Sequence, residues 1–425
     1  MTDYRSPHAL PGPDDIQRSR LPNGIIVLSR ANFNSPSVVI SGYLQAGSLF
    51  DPSEKLGLAD FAASALMRGT QSRDFQGIYD ALESVGASLA YNANMHTSSF
   101  SGRSLAEDLP LLLKLLSETL RQPTFPKEEI EKLRAQLLTG LAIRAQDTSD
   151  MASLTFDQLL FESHPYSRPE DGFPETIQAI RRQDLVSLHQ QCYGPRGMVV
   201  AIVGAVDPQQ AIDQVGAALA DWQNPKQPDA PKLPLFKPLK KSARRHFAIP
   251  GKSQSDLVIG APGPQRTSPD YLPASLGNSV LGQFGLMGRI GEAVRERSGL
   301  AYYAYSSMST GVGPGSWEVN AGVNPANVEK AINLIVEELK RFVEKGVSAE
   351  ELSDSQTNFI GRLPLSLESN AGVAGALLNI ERYELGLDYY RRYPNLVQAI
   401  MPEQILETAQ RFIDPERLAI ATAGP

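Results

Sequence analysis

The feature that most constrains how this 425-residue chain can fold is an internal repeat. Gln178-Ala179-Ile180, followed by Leu185, Pro195, Ala201 and Gly204, returns as Gln398-Ala399-Ile400, Ile405, Pro415, Ala421 and Gly424, every pair offset by 220 without a gap. Pro126-Lys127-Glu128-Glu129-Ile130 has its echo in Ser348-Ala349-Glu350-Glu351-Leu352 at 222, and Val38-Val39-Ile40 in Leu257-Val258-Ile259 at 219. Three ordered matches at nearly one offset argue for duplication of a whole domain. The expected organisation is residues 1–224, a linker over 225–245, and residues 246–425. The linker reading rests on Pro225, Pro228, Pro231, Pro234 and Pro238, spaced so as to favour extended, solvated backbone. Its basic run, Lys237, Lys240, Lys241, Arg244 and Arg245 among it, reads as a solvated face rather than a nucleic-acid or membrane patch.

Each copy mixes strands with paired helices. Asn23–Ser29 and Ser37–Tyr43 have strand character, and Asn23-Gly24 supplies the turn of the first. Leu109, Leu112, Leu113, Leu116 and Leu120 recur at helical spacing, and a second helix is expected over Lys127–Leu141. The second copy repeats this with Ile332, Ile335, Leu339 and Phe342, then Ala349–Arg362. Each copy closes on an apolar strand, Met198–Val203 and Leu418–Ala423. The predicted class is α+β: two sandwiches, each with helices packed on a mainly antiparallel sheet.

Composition narrows the function. Forty-seven acidic residues against 40 basic give a net charge of −7, the wrong sign for a general nucleic-acid binder. Cys192 is the only cysteine, so no intramolecular disulfide forms and nothing indicates an oxidising compartment. The N-terminus lacks a basic and apolar leader pattern, and no apolar run approaches a membrane span. A cytoplasmic location is the expectation.

Gly57-Leu58-Ala59-Asp60-Phe61-Ala62-Ala63-Ser64-Ala65-Leu66-Met67-Arg68-Gly69-Thr70 resembles the active-site helix of the insulinase/pitrilysin metallopeptidases, in their mitochondrial-processing-peptidase-like branch. In active members this helix carries the inverted zinc motif H-x-x-E-H. The frame matches at Gly57, Leu58, Ala59, Phe61, Leu66, Gly69 and Thr70. The chemistry does not. Asp60 stands for the first histidine, Ala63 for the catalytic glutamate and Ser64 for the second histidine. The family's third ligand, a glutamate in a later helix, falls near Gly140. A catalytic zinc needs three protein ligands and an open position, and Ala63 has nothing to accept a proton from an attacking water. No zinc is expected in this chain. His8, His96, His164, His189 and His246 are never closer than 25 residues and show no metal spacing. The long-shot metal site, Asp60 with another carboxylate, finds no supporting ligand cluster.

A second resemblance lies in Arg295-Glu296-Arg297-Ser298-Gly299-Leu300-Ala301-Tyr302. In the family an arginine and a tyrosine at this spacing, in the half without zinc, bind the substrate backbone and assist the oxyanion. The matching residues are Arg295 and Tyr302. A guanidinium and a phenol are suitable donors for that task. Two readings stay open. If Tyr302 faces with Ala304 and Ser306, then Tyr303 and Tyr305 face the other way, and a slip of one residue exchanges the two tyrosines. Arg295 could equally cap a helix and Tyr302 pack in a sheet. Gly282, Gly285 and Gly288 match neither a dinucleotide nor a P-loop spacing and read as a helix-entry turn, while the resemblance implies a glycine-rich segment near the substrate.

The resemblance spans the whole chain and implies a zinc-free subunit of a heterodimeric, clam-shell peptidase acting on unfolded peptides. Its partner would be a similar chain carrying H-x-x-E-H and the downstream glutamate. The rivals are a structural or peptide-binding relative without catalysis, and a homodimer that binds peptides without cutting them.

Overall fold

The computed structural model describes residues 10–283 and 288–425. Two compact units result, and neither is a continuous segment. The described residues up to Leu141, with Pro169–Lys232 and Pro364–Arg392, form one; Ala142–Arg168, Leu233–Leu363 and Tyr393–Pro425 form the other. The division by duplication, 1–224 and 246–425, runs along the chain, whereas these units cut across both copies.

The first unit is built on a sheet ordered β1 (Gln17–Arg20), β2 (Ile26–Ala31), β6 (Val199–Gly204), β3 (Ser37–Leu44), β5 (Ser98–Leu105), β4 (Ser88–Ala93). Only β2 and β6 pair in parallel. Strand β6, Val-Val-Ala-Ile-Val-Gly, is buried throughout, the pattern of a central strand covered on both faces. By contrast β5 alternates, with Phe100 and Gly102 inward and Ser101 and Arg103 outward, as a half-covered strand must. Helices α1 (Leu58–Ala65), α2 (Phe75–Glu83), α3 (Leu109–Arg121), α4 (Lys127–Arg144), α6 (Pro174–Ala179), α7 (Arg182–Cys192) and α8 (Pro208–Leu219) belong to this unit, α4 running into the other in its last turn. Phe61, Leu112, Leu116 and Leu185 pack on Val38, Ile40, Val200 and Ile202. The predicted leucine stripe is that of α3.

The second unit repeats the plan with β7 (Ala243–Ala248), β11 (Ala419–Gly424), β8 (Ser255–Gly263), β10 (Gly315–Val323) and β9 (Ala301–Ser309), in that order, β7 and β11 in parallel. Strand for strand this is β2-β6-β3-β5-β4 again, without a counterpart of β1. Its helices are α9 (Tyr271–Gly282), the single turn α10 (Gly288–Ile290), α11 (Val328–Lys345), α12 (Ala349–Ser366) and α15 (Pro402–Phe412). Ile335, Leu339, Phe342 and Ile405 cover Leu257, Ile259, Trp317 and Val319. Residues 223–242 hold no helix or strand, as the prolines suggest. Yet Phe236 packs edge-on against Phe161, 5.5 Å between centroids, and strand β7 begins at Ala243, inside the expected linker.

The remaining helices change sides. Helix α5 (Thr148–Leu160), from the first copy, lies on the second unit's sheet, where Ala152, Phe156 and Leu160 meet Val258, Ala419 and Ala421. Helix α13 (Asn370–Arg382), its equivalent 222 residues on, lies on the first unit's sheet, where Val373, Leu377 and Ile380 meet Leu28, Val39 and Val203. The chain returns through α14 (Tyr389–Gln398). Each helix is tied to its sheet at its first residue. Asn370 donates to the Ser37 carbonyl at 3.2 Å, and Thr148 donates to the Asp256 carboxylate. Ser37 and Asp256 are themselves repeat equivalents, 219 apart. Among the described residues no helix is long and apolar enough to cross a membrane.

Candidate functional site

Helix α1 follows Gly57, whose φ of +90° is open to glycine and strained for other residues. Its orphan N-terminal donors are met from outside: Asp51 accepts from Gly57 N–H and Ala59 N–H, each at 3.0 Å. Burial outweighs those bonds and pushes Asp51 up to about 7. On the same helix, Phe61 enters the core and its ring carries the Arg134 guanidinium of α4 at 5.2 Å. Asp60 is pushed up to about 6, first by burial and then by Asp171 and Glu170, against a hydrogen bond from the Ala93 N–H. Glu170 is engaged by the Met95 N–H at 2.7 Å. Ala63 is fully buried and Ser64 half-buried. Gly140 lies exposed on α4, with nothing within 4 Å of where a Cβ would stand.

This donor set does not fit a catalytic zinc. Asp60 offers a carboxylate already occupied by a backbone donor, Ser64 a neutral hydroxyl, and Ala63 and Gly140 no donor at all. Among the described residues no group of three His, Cys, Asp or Glu side chains could hold a metal ion. His164 and His189 serve packing. His164 stands edge-on to Tyr166, 4.6 Å between centroids, with Nδ1 accepting from the Tyr166 N–H. His189 Nε2 meets the Leu120 carbonyl at 2.8 Å. Burial holds both rings below their ordinary range.

The arginine–tyrosine segment is built differently. After α10 the helix widens over Gly291–Glu296, where the Arg297 N–H reaches back five residues to the Glu292 carbonyl at 2.9 Å. Such wide turns are rare and occur mostly as single turns, frequently at functional sites. Gly299, φ +61°, ends the helix. Arg295 is half-exposed, its nearest carboxylate being Glu296 at 3.7 Å. Strand β9 then starts with an irregularity: Ala301 lies opposite Val323, but Tyr303 lies opposite Gly322. Tyr302 is the extra residue of a β-bulge, a device that re-aims side chains. It is 64% exposed, although Ala304 and Ser306, which alternation places on its face, are fully buried. Tyr303 and Tyr305 occupy the opposite face, 5.9 Å apart.

The glycines divide. Gly282 closes α9 rather than opening a helix, and a Cβ there would collide with Ser306. Gly288, φ +63°, begins α10 and approaches Gly282 too closely for a side chain. Gly285 lies outside the described residues. The helix-entry reading therefore holds for Gly288 and is corrected for Gly282. Asp51, Glu170 and Asp256 escaped the sequence analysis; only the position of Asp51, six residues before Gly57, could have marked it as a cap.

Residues 26–161 match the family model described as Insulinase (Peptidase family M16), and residues 179–359 match that described as Peptidase M16 inactive domain. This chain belongs to the M16 family. Two M16 relatives illustrate the range of names. The chain is 26% identical over 378 residues to an uncharacterized zinc protease of Streptomyces coelicolor, covering 87% of this chain and 80% of the relative. It is 25% identical over 394 residues to the non-peptidase homolog YmxG of Helicobacter pylori, covering 92% and 89%. Among solved structures, one described as a peptidase M16 inactive domain from Pseudomonas fluorescens superposes with a TM-score of 0.88 at 27% identity, over 97% of this chain and 98% of that one. The model described as inactive covers residues 179–359, while the α1 donor set that does not fit zinc lies within residues 26–161.

Proposed function

We propose that this M16 chain is the zinc-free subunit of a heterodimeric metallopeptidase that degrades or processes unfolded peptides. The partner is a homologous chain with H-x-x-E-H and the downstream glutamate. It supplies zinc and base, while this chain supplies Arg295 and Tyr302 to the substrate backbone and the developing oxyanion. The observation that carries this reading is the freedom of both side chains. Arg295 stands on a widened turn with one loose carboxylate neighbour, and Tyr302 stands on a bulge with most of its surface open. A residue kept for packing would be buried, as Ala304 and Phe61 are. The competing reading, an inert peptide-binding or structural homologue, draws support from the name of the Helicobacter relative and from the vanished ligands on α1.

Zinc content and cleavage of unstructured peptides separate the two. The chain alone should be metal-free and inert, and should yield cutting when mixed with its zinc-bearing homologue. Arg295→Ala should then lower turnover while leaving assembly intact. A mixture that cuts equally well with Arg295→Ala removes the role given to the segment. A mixture that never cuts any of a broad peptide panel favours the inert homologue.

A further inference from the structure

The opposite face of β9 carries a tie that none of this requires. The Tyr303 hydroxyl donates to Asp256 on β8, two strands away. Asp256 is 2% exposed and also accepts from Thr148 at the start of α5 and from Gln254, at 2.9 and 3.1 Å. The phenol must cross β10 to get there, and it does so over Gly322, where a Cβ would stand 2.5 Å from Tyr303 Cε1. Gly322 is also the residue where the register shifts. Thus the bulge and the tie share one position. Three residues on, β9 is held from its other face: Ser306 Oγ donates to Asn278 Oδ1 of α9 at 2.7 Å.

We propose that Tyr303 is a positioning residue for Tyr302, locking the β9 bulge through Asp256 so that the neighbouring phenol is held outward. The proposal rests on the reading of Tyr302 given above and adds what fixes that side chain in place. The physical case is one of register. Strand residues alternate, so a bulge that migrates by one position exchanges the faces of Tyr302 and Tyr303. A hydrogen bond to a buried carboxylate, anchored further by the N-terminus of α5, makes that exchange costly, because it would strip Asp256 Oδ1 of its phenol donor and leave only Thr148 and Gln254 on that carboxylate. The repeat equivalent, Ser37 with Asn370, offers no carboxylate for such a tie.

Two measurements test this separately from the function itself. In the chain alone, amide exchange of Ala301–Tyr303 should quicken about tenfold or more in Tyr303→Phe, as expected for loss of a charge-assisted hydrogen bond; exchange in β6 should be unchanged. Unaltered exchange at Ala301–Tyr303 overturns the lock whatever the activity. In the assembled peptidase, Tyr303→Phe should lower kcat about tenfold with KM steady. The same substitution in a Tyr302→Phe background should change kcat less than about twofold, since the two act as one unit. Additive losses would show that Tyr303 acts without Tyr302 and overturn the proposal. If exchange quickens but Tyr302→Phe itself leaves turnover intact, the role of Tyr302 falls, and the positioning role falls with it.

Discussion

Helix α1 and the segment from Gly291 to Tyr303 are the two places where the sequence resembles chemistry-bearing parts of the family, and they have opposite fates. On α1 the polar groups are absorbed. Asp60 takes a backbone donor from the end of β4, Asp51 caps the helix, and Ala63 is sealed. In the other segment Tyr303 is tied to Asp256, but a widened turn and a bulge hold Arg295 and Tyr302 out of the core. A helix that has lost its ligands is kept for packing, and its polar remnants find structural partners. Under the proposed function, the second segment gives up regular packing to keep its two donors free.

The contrast can be broken at several points. The largest effect should come from Ala63→Glu, which buries a carboxylate without a partner and should cost about 4 kcal/mol of unfolding free energy; denaturant unfolding reads it. A cost under 1 kcal/mol would mean that the position still faces water, as an active site must. Next, Arg295→Ala should leave unfolding unchanged within about 0.5 kcal/mol while lowering kcat of the assembled peptidase on the order of a hundredfold. If stability falls with activity, the arginine is a packing residue after all.

Asp60→Asn gives a smaller effect with a definite pH signature. Asp60 is raised to about 6 in the folded chain, against about 3.9 unfolded. The folded state therefore holds the extra proton between these values. The stabilisation is full below about pH 4 and is lost as pH rises through 6. Asparagine mimics the protonated form, so the variant should match the parent near pH 4 and exceed it by on the order of 2 kcal/mol near pH 8. An equal difference at both pH values would show that burial of charge is not the cause. The smallest effect is expected of chelators: exhaustive dialysis should move Tm by less than about 1 °C, since a site that binds no metal gains nothing from it. A large drop would place a structural metal in the chain.

Much of the fold was legible because it is written in local periodicity. The leucine stripe of α3, the apolar run of β6 and the 220-residue offset survive any choice of tertiary partner. The replaced ligand positions were equally legible, because ligand identity is a property of the side chain, and alanine and glycine have none to offer. The exchange of α5 and α13 was not. Phe156 and Leu160, or Leu377 and Ile380, mark an amphipathic helix that must be covered, but an apolar face is non-directional and does not say which of two similar sheets covers it.

The tyrosine pair lies between these cases. From its sequence this protein is a duplicated α+β chain, stripped of its own zinc ligands, with an arginine and a tyrosine seven residues apart. Only the tertiary structure decides that Tyr302 is the bulged residue and that Tyr303 is bound to Asp256. Alternation along a strand is local, but the register against β10 depends on Gly322, and the carboxylate that holds it comes from a strand some forty-seven residues earlier in the chain.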